Sequence, residues 1–94
     1  MHVLLVSLGM LIAQPDMSMR TLEGHTGSVL ALAFSPTDDL VASASRDKSI
    51  KLRNLATGKL LKTFLHEKDV HSVAFSRDGD HLLSASADKT VRLW

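Results

Sequence analysis

The sequence predicts an all-β chain: a partial β-propeller of about two four-stranded antiparallel blades, the second lacking its fourth strand. Three observations predict it. Shifting the 94-residue chain by 41 places lays His25 on His66 and Arg53 on Trp94, with 12 identities in those 29 positions. Internal similarity at such a period marks a repeat architecture. Each copy breaks into short runs rich in β-forming residues, separated by turn residues. No helix of useful length is indicated.

The elements follow in order. First strands are read at 29–34 (VLALAF) and 70–75 (VHSVAF), closed by Ser-Pro-Thr-Asp-Asp and Ser-Arg-Asp-Gly-Asp. Second strands follow at 40–45 (LVASAS) and 81–86 (HLLSAS). The tight connections Arg46-Asp47-Lys48 and Ala87-Asp88-Lys89 lead into third strands at 49–53 (SIKLR) and 90–94 (TVRLW). Period-2 alternation sets Ile50 and Leu52 inward, Lys51 and Arg53 outward. Residues 54–58 form a loop, 59–64 (KLLKTF) a fourth strand, and 20–22 (RTL) hold the equivalent place before the first copy. Four short antiparallel strands in about 40 residues describe one propeller blade. Phe34, Phe64 and Phe75 are assigned to the core. The repeats are bounded at 20–62 and 63–94, after an apolar segment at 1–19.

That segment carries an apolar run at 3–13, shorter than the roughly 20 residues a spanning helix needs. No Lys or Arg precedes the run, and Leu11 breaks a small-x-small cleavage pattern before Ala13, which argues against a secretory signal. It reads as an extra strand or short helix, ended by Gln14-Pro15-Asp16, that covers a sheet edge, or as a segment unrelated to the repeats. A net charge of +1 gives no reason to expect nucleic acid or an anionic membrane as partner. The sequence holds no cysteine, which excludes disulfides, thiolate metal sites and a cysteine nucleophile and suits a reducing, intracellular, cytoplasmic setting.

The pattern Gly24-His25, then Val29 to Phe34-Ser35-Pro36, then Ser43-Ala44-Ser45-x-Asp47, then a strand ending in Leu93-Trp94, resembles the WD-repeat (WD40) β-propeller family across residues 20–94. The resemblance implies that His25, Ser43 and Asp47, and again His66, Ser84, Asp88 and Trp94, form a structural hydrogen-bond relay inside each blade. The Asp accepts from the His and from backbone amides of its turn; the His reaches the Ser hydroxyl, which can reach the indole N–H. Each buried polar group then has a partner and avoids a penalty of about 1–3 kcal/mol. Although His, Ser and Asp superficially resemble a hydrolase set, their recurrence once per blade without an implied pocket or oxyanion donor favours structure over catalysis. The first copy departs from the pattern: Arg53 stands at the tryptophan position, with its head expected to snorkel to water. Gly24 has no twin, because Leu65 precedes His66.

No cofactor or metal is expected. His66 and His71 lack ligand partners at metal spacing, and Gly24 and Gly27 do not open a phosphate-binding helix. The basic residues Arg46, Lys48, Lys51, Lys59 and Lys62 read as a solvated face. The resemblance implies a non-catalytic scaffold for a protein or peptide partner. Contact positions are set near the first strands and before the turn Asp: Ser28, Leu30 and Arg46, then Asp69, His71 and Ala87. A blade cannot bury both faces alone, so the alternatives are a truncated propeller fragment without independent function, or a homo-oligomer that completes a propeller. In the second, residues 20–22 would be donated head to tail to the blade that lacks a fourth strand.

Overall fold

The computed structural model describes residues 2–3 and 20–94. The strand or helix expected within 4–19, with its Gln14-Pro15-Asp16 stop, lies outside the described residues. Strand β1 (His2–Val3) pairs antiparallel with β2 (Arg20–Thr21). A four-stranded antiparallel sheet follows: β3 (Val29–Phe34), β4 (Leu40–Ser45), β5 (Ser49–Asn54) and β6 (Leu60–Leu65), adjacent in chain order. A three-stranded sheet follows in the same manner: β7 (Val70–Phe75), β8 (Leu82–Ser86) and β9 (Val91–Leu93). Among the described residues there is no helix.

Local chemistry sets the connections. Between β3 and β4, the Ser35 hydroxyl accepts from the amides of Thr37 and Asp38, while the Ser35 amide donates to the Leu40 carbonyl at 2.9 Å. The β4–β5 connection tightens through Lys48, whose φ of 73° places it in the left-handed region; Lys89 repeats this at 71° between β8 and β9. A left-handed residue after a tight turn is the usual way to reconcile three-residue hairpins with strand twist. In both first strands the register skips one residue, Leu30 against β4 and His71 against β8, so each protrudes as a β-bulge.

The two sheets pack face to face. Ala42, Ala44 and Ile50 of the first meet Val70, Val73 and Leu82 of the second, with Phe64, Phe75 and Trp94 closing the margin. The small side chains of β4 let the second sheet approach closely. A separate cluster, Leu22, Val41 and Leu55, lies on the other side of the first sheet.

Three expectations are corrected. Phe34 is 51% exposed, because β3 turns Ala31 and Ala33 toward the second sheet and leaves Leu32 and Phe34 on the opposite face. Arg53 does not reach water: it is 7% exposed and its Nη2 donates to the Glu23 carbonyl. Alternation does set Lys51 and Arg53 on one face, but that face is covered by the chain entering the first sheet. Residues 20–22 do not stand as an unpaired spare strand, since Arg20–Thr21 pairs with His2–Val3 and Leu22 is buried.

Candidate functional site

In the first sheet, β4 supplies Ser43, the β4–β5 turn supplies Asp47, and the segment entering β3 supplies His25. His25 Nδ1–H donates to Asp47 Oδ2 at 2.7 Å, and its Nε2 lies 2.7 Å from Ser43 Oγ. Asp47 also accepts from the Thr26 amide at 3.0 Å and the Ser49 amide at 2.9 Å. In the second sheet, His66 Nδ1–H donates to Asp88 Oδ2 at 3.1 Å, and the Ser84 hydroxyl donates to His66 Nε2 at 2.6 Å. Trp94 Nε1–H donates to the Ser84 oxygen at 2.9 Å. A carboxylate that accepts only fixes the proton on Nδ1, so all donors point one way from indole to hydroxyl to imidazole to carboxylate.

Two hydroxyls that sequence reasoning passed over complete these groups. Ser49 Oγ and Thr90 Oγ1 donate to the second oxygens of Asp47 and Asp88. The signal for them was present as a hydroxyl residue two places after each turn Asp. Burial alone would push the Asp47 carboxyl up, but the Ser49 hydroxyl, His25 and two amides hold it well below the usual carboxylate range. The Thr90 hydroxyl, with the amides of Glu67 and Thr90 and the His66 ring, outweighs burial to hold Asp88 down in the same way.

The two relays differ at the tryptophan position. Trp94 stacks on Phe64 with ring centroids 4.8 Å apart and meets His66 edge-on at 6.0 Å, so the second relay is roofed by aromatic surface. Arg53 supplies no donor to Ser43 and instead lies over Gly24. A Cβ on Gly24 would come within 2.8 Å of Arg53 Nη2, and Gly24 has a φ of 127°. Gly24 and Arg53 thus go together, as do their counterparts Leu65 and Trp94 in the second copy, where neither the glycine nor the arginine is present.

The positions singled out for contact gather in pairs. The Arg46 amide donates to the Ser28 carbonyl at 2.9 Å, and the Ala87 amide donates to the Asp69 carbonyl at 2.9 Å. Leu30 and His71 are the two bulge residues next to them. Ser28, Arg46, His71 and Ala87 are exposed, while Leu30 and Asp69 are half-buried. All six lie at the sheet end that carries the β4–β5 and β8–β9 turns. A groove of about 720 Å³ runs along the chain from Leu22 to Val29 beside it. Among the described residues, no three His, Asp or Glu side chains are grouped to hold a metal.

The sequence matches the WD domain, G-beta repeat family (WD40) at residues 17–54 and again at 58–94. The chain belongs to the WD40 family. Individual proteins align with about half of it. It is 47% identical over 45 residues to the pre-mRNA-splicing factor prp46 of Emericella nidulans, which covers 48% of this chain and 10% of that protein. It is 41% identical over 44 residues to eukaryotic translation initiation factor 3 subunit I of Neurospora crassa, covering 47% of this chain and 13% of that one. The nuclear distribution protein PAC1 of Candida tropicalis is 42% identical over 48 residues, 50% of this chain and 10% of its own. The chain therefore spans about a tenth of the length of these relatives.

Proposed function

We propose that this WD40 chain is a non-catalytic interaction module acting inside the cell, and that a protein or peptide partner binds at the bulge end of its sheets. The observation that carries this is the duplicated cluster at that end. In each repeat a bulge residue, an edge residue and a turn residue (Leu30, Ser28 and Arg46; His71, Asp69 and Ala87) stand side by side on neighbouring sheets. Bulges aim side chains out of a ladder and recur where sheets present binding residues. The relatives' roles in splicing, translation initiation and nuclear distribution support an intracellular setting and a place in multi-protein work. The test is a photo-crosslinking amino acid placed at Arg46 or Ala87 and, as a control, at Asp39 or Asp80 at the other end. Adducts to a discrete partner from the first pair alone support the reading; equal labelling from both ends overturns it.

The same proposal gives the His-Ser-Asp groups a structural role, with Trp94 completing the second. The Ser84 residue is 1% exposed and its oxygen is already engaged by both His66 and Trp94, which leaves no approach for a substrate carbonyl. A hydrolytic activity lost in Ser84→Ala at unchanged stability would reverse this assignment.

A further inference from the structure

Charge divides the two ends of the sheets. At the bulge end stand Arg46 and Lys48 of the β4–β5 turn, Lys68 of the β6–β7 connection and Lys89 of the β8–β9 turn, all exposed. The anions that share this surface are the exposed Glu67 and the half-buried Asp69. At the opposite end the balance reverses: Asp38, Asp39, Asp78 and Asp80 are exposed, against Arg77 and Lys59. The basic stretch that reads in the sequence as one solvated face is thus split, with Arg46 and Lys48 at one end and Lys59 at the other. Among the described residues, none of these lysines and arginines is ion-paired; the ion pairs are His25–Asp47 and His66–Asp88.

Backbone bonds gather the four cations of the bulge end around one crossing. The His66 amide donates to the Lys48 carbonyl at 2.8 Å, which ties the β4–β5 turn to the start of the β6–β7 connection. The Ser86 hydroxyl donates to the Lys68 carbonyl at 3.1 Å, and the Ala87 amide donates to the Asp69 carbonyl at 2.9 Å. These two bonds tie the β8–β9 turn to the end of the same connection. The crossing joins the two sheets in the interior of the chain, so both of them set its surroundings. Asp47 and Asp88 belong to the two turns but face inward. Their side chains are 8% and 6% exposed, and both oxygens of each accept bonds within the relay. They weaken the field at a distance, yet they leave the surface cations without a carboxylate partner.

We infer that the partner bound at the bulge end is an acidic peptide, whose spaced aspartate or glutamate side chains meet Arg46, Lys48, Lys68 and Lys89. This rests on the reading that a partner binds at that end, and it names the partner's chemistry. One guanidinium and three ammonium groups on flexible stems suit carboxylates that arrive at varied spacing. A nucleic acid fits the surface poorly, because a continuous row of phosphates would run over Glu67 and Asp69. A chain of net charge +1 also has few cations to spare for it. Lys68, flanked in sequence by those two anions, calls for negative charges set apart. Such pairs form at an exposed surface, so each adds little, salt screens them, and affinity comes from several at once.

The experiment is fluorescence anisotropy of the 94-residue chain with four labelled probes. They are a Gly-Ser peptide with spaced glutamates, the same peptide with glutamines, the same with lysines, and a single-stranded oligonucleotide. The glutamate probe is expected to bind at least about tenfold more tightly than the others at low ionic strength, and to weaken as salt is raised. Arg46→Glu combined with Lys68→Glu should lose at least about tenfold, and Arg46→Gln with Lys68→Gln a smaller part of it, with far-UV circular dichroism confirming the fold. Lys48 and Lys89 are left in place because both hold left-handed turn positions. Asp38→Lys, which raises the net charge at the other end, should leave the affinity unchanged. The inference is overturned by absent binding of the glutamate probe, by equal binding of the glutamine probe, by an oligonucleotide that binds as tightly, or by a gain in Asp38→Lys. A discrete crosslinked adduct from Ala87 alongside any of these results would keep the interaction module and strike only the acidic partner.

Discussion

At the scale of single residues, Ser84 is the side chain that joins the two rings of the second relay. Its hydroxyl satisfies both His66 Nε2 and Trp94 Nε1. Ser84→Ala orphans two buried groups and is expected to lower stability by about 2–3 kcal/mol in urea denaturation. Ser43→Ala leaves only His25 short of a partner and should cost about half as much by the same measurement. Asp47 and Asp88 give the pH dependence a definite sign. Their folded pKa values lie below the 3.8 of a free Asp. Their stabilisation is therefore complete above the unfolded value and is lost as pH falls through the folded one. Urea midpoints should hold steady from neutral pH to about 5 and then decline, and Asp88→Asn should flatten much of that decline. The members of the relay were legible as repeated letters because hydrogen-bond capacity is a property of residue type. Arg53 was not: alternation gave its face, but nothing local revealed that the chain from Leu22 to His25 covers that face.

At the scale of elements, the turns were more legible than the faces. The strands at 29–34, 40–45 and 70–75 fall where β-formers and turn residues put them, since turn chemistry is local. The bulges at Leu30 and His71 have no such marker, because they arise from register against a partner strand. Nor could the sequence separate Phe34 from Phe75. They occupy the same place in equivalent strands, and only the order of the sheets decides which is covered. Two turn substitutions test the local geometry by thermal melting. Lys89→Gly removes the cost of a left-handed β-carbon and should stabilise by about 0.5–1 kcal/mol net of glycine's extra unfolded entropy. Gly79→Ala, at a φ of 79° and against Thr37, should destabilise by about 1–2 kcal/mol.

At the scale of the whole molecule, the repeat makes equivalent residues into paired probes of what surrounds them. Ile50→Ala should cost about 2–4 kcal/mol at any protein concentration, because the second sheet always covers Ile50. Val91→Ala, at the equivalent position, should cost well under about 1 kcal/mol in urea denaturation, because Val91 is 65% exposed. The seam between the sheets carries one more consequence. Strand β6 belongs to the first sheet by its hydrogen bonds, yet Phe64 at its end stacks on Trp94, and His66 just beyond it serves Ser84 and Asp88. The stretch that is self-sufficient in polar partners is thus offset by one strand from the sheet that the eye picks out. A gene cassette taken from 58 to 94 would bring its own aromatic roof and imidazole, and duplicating it in tandem would lengthen the array while giving each added copy a complete set of internal partners.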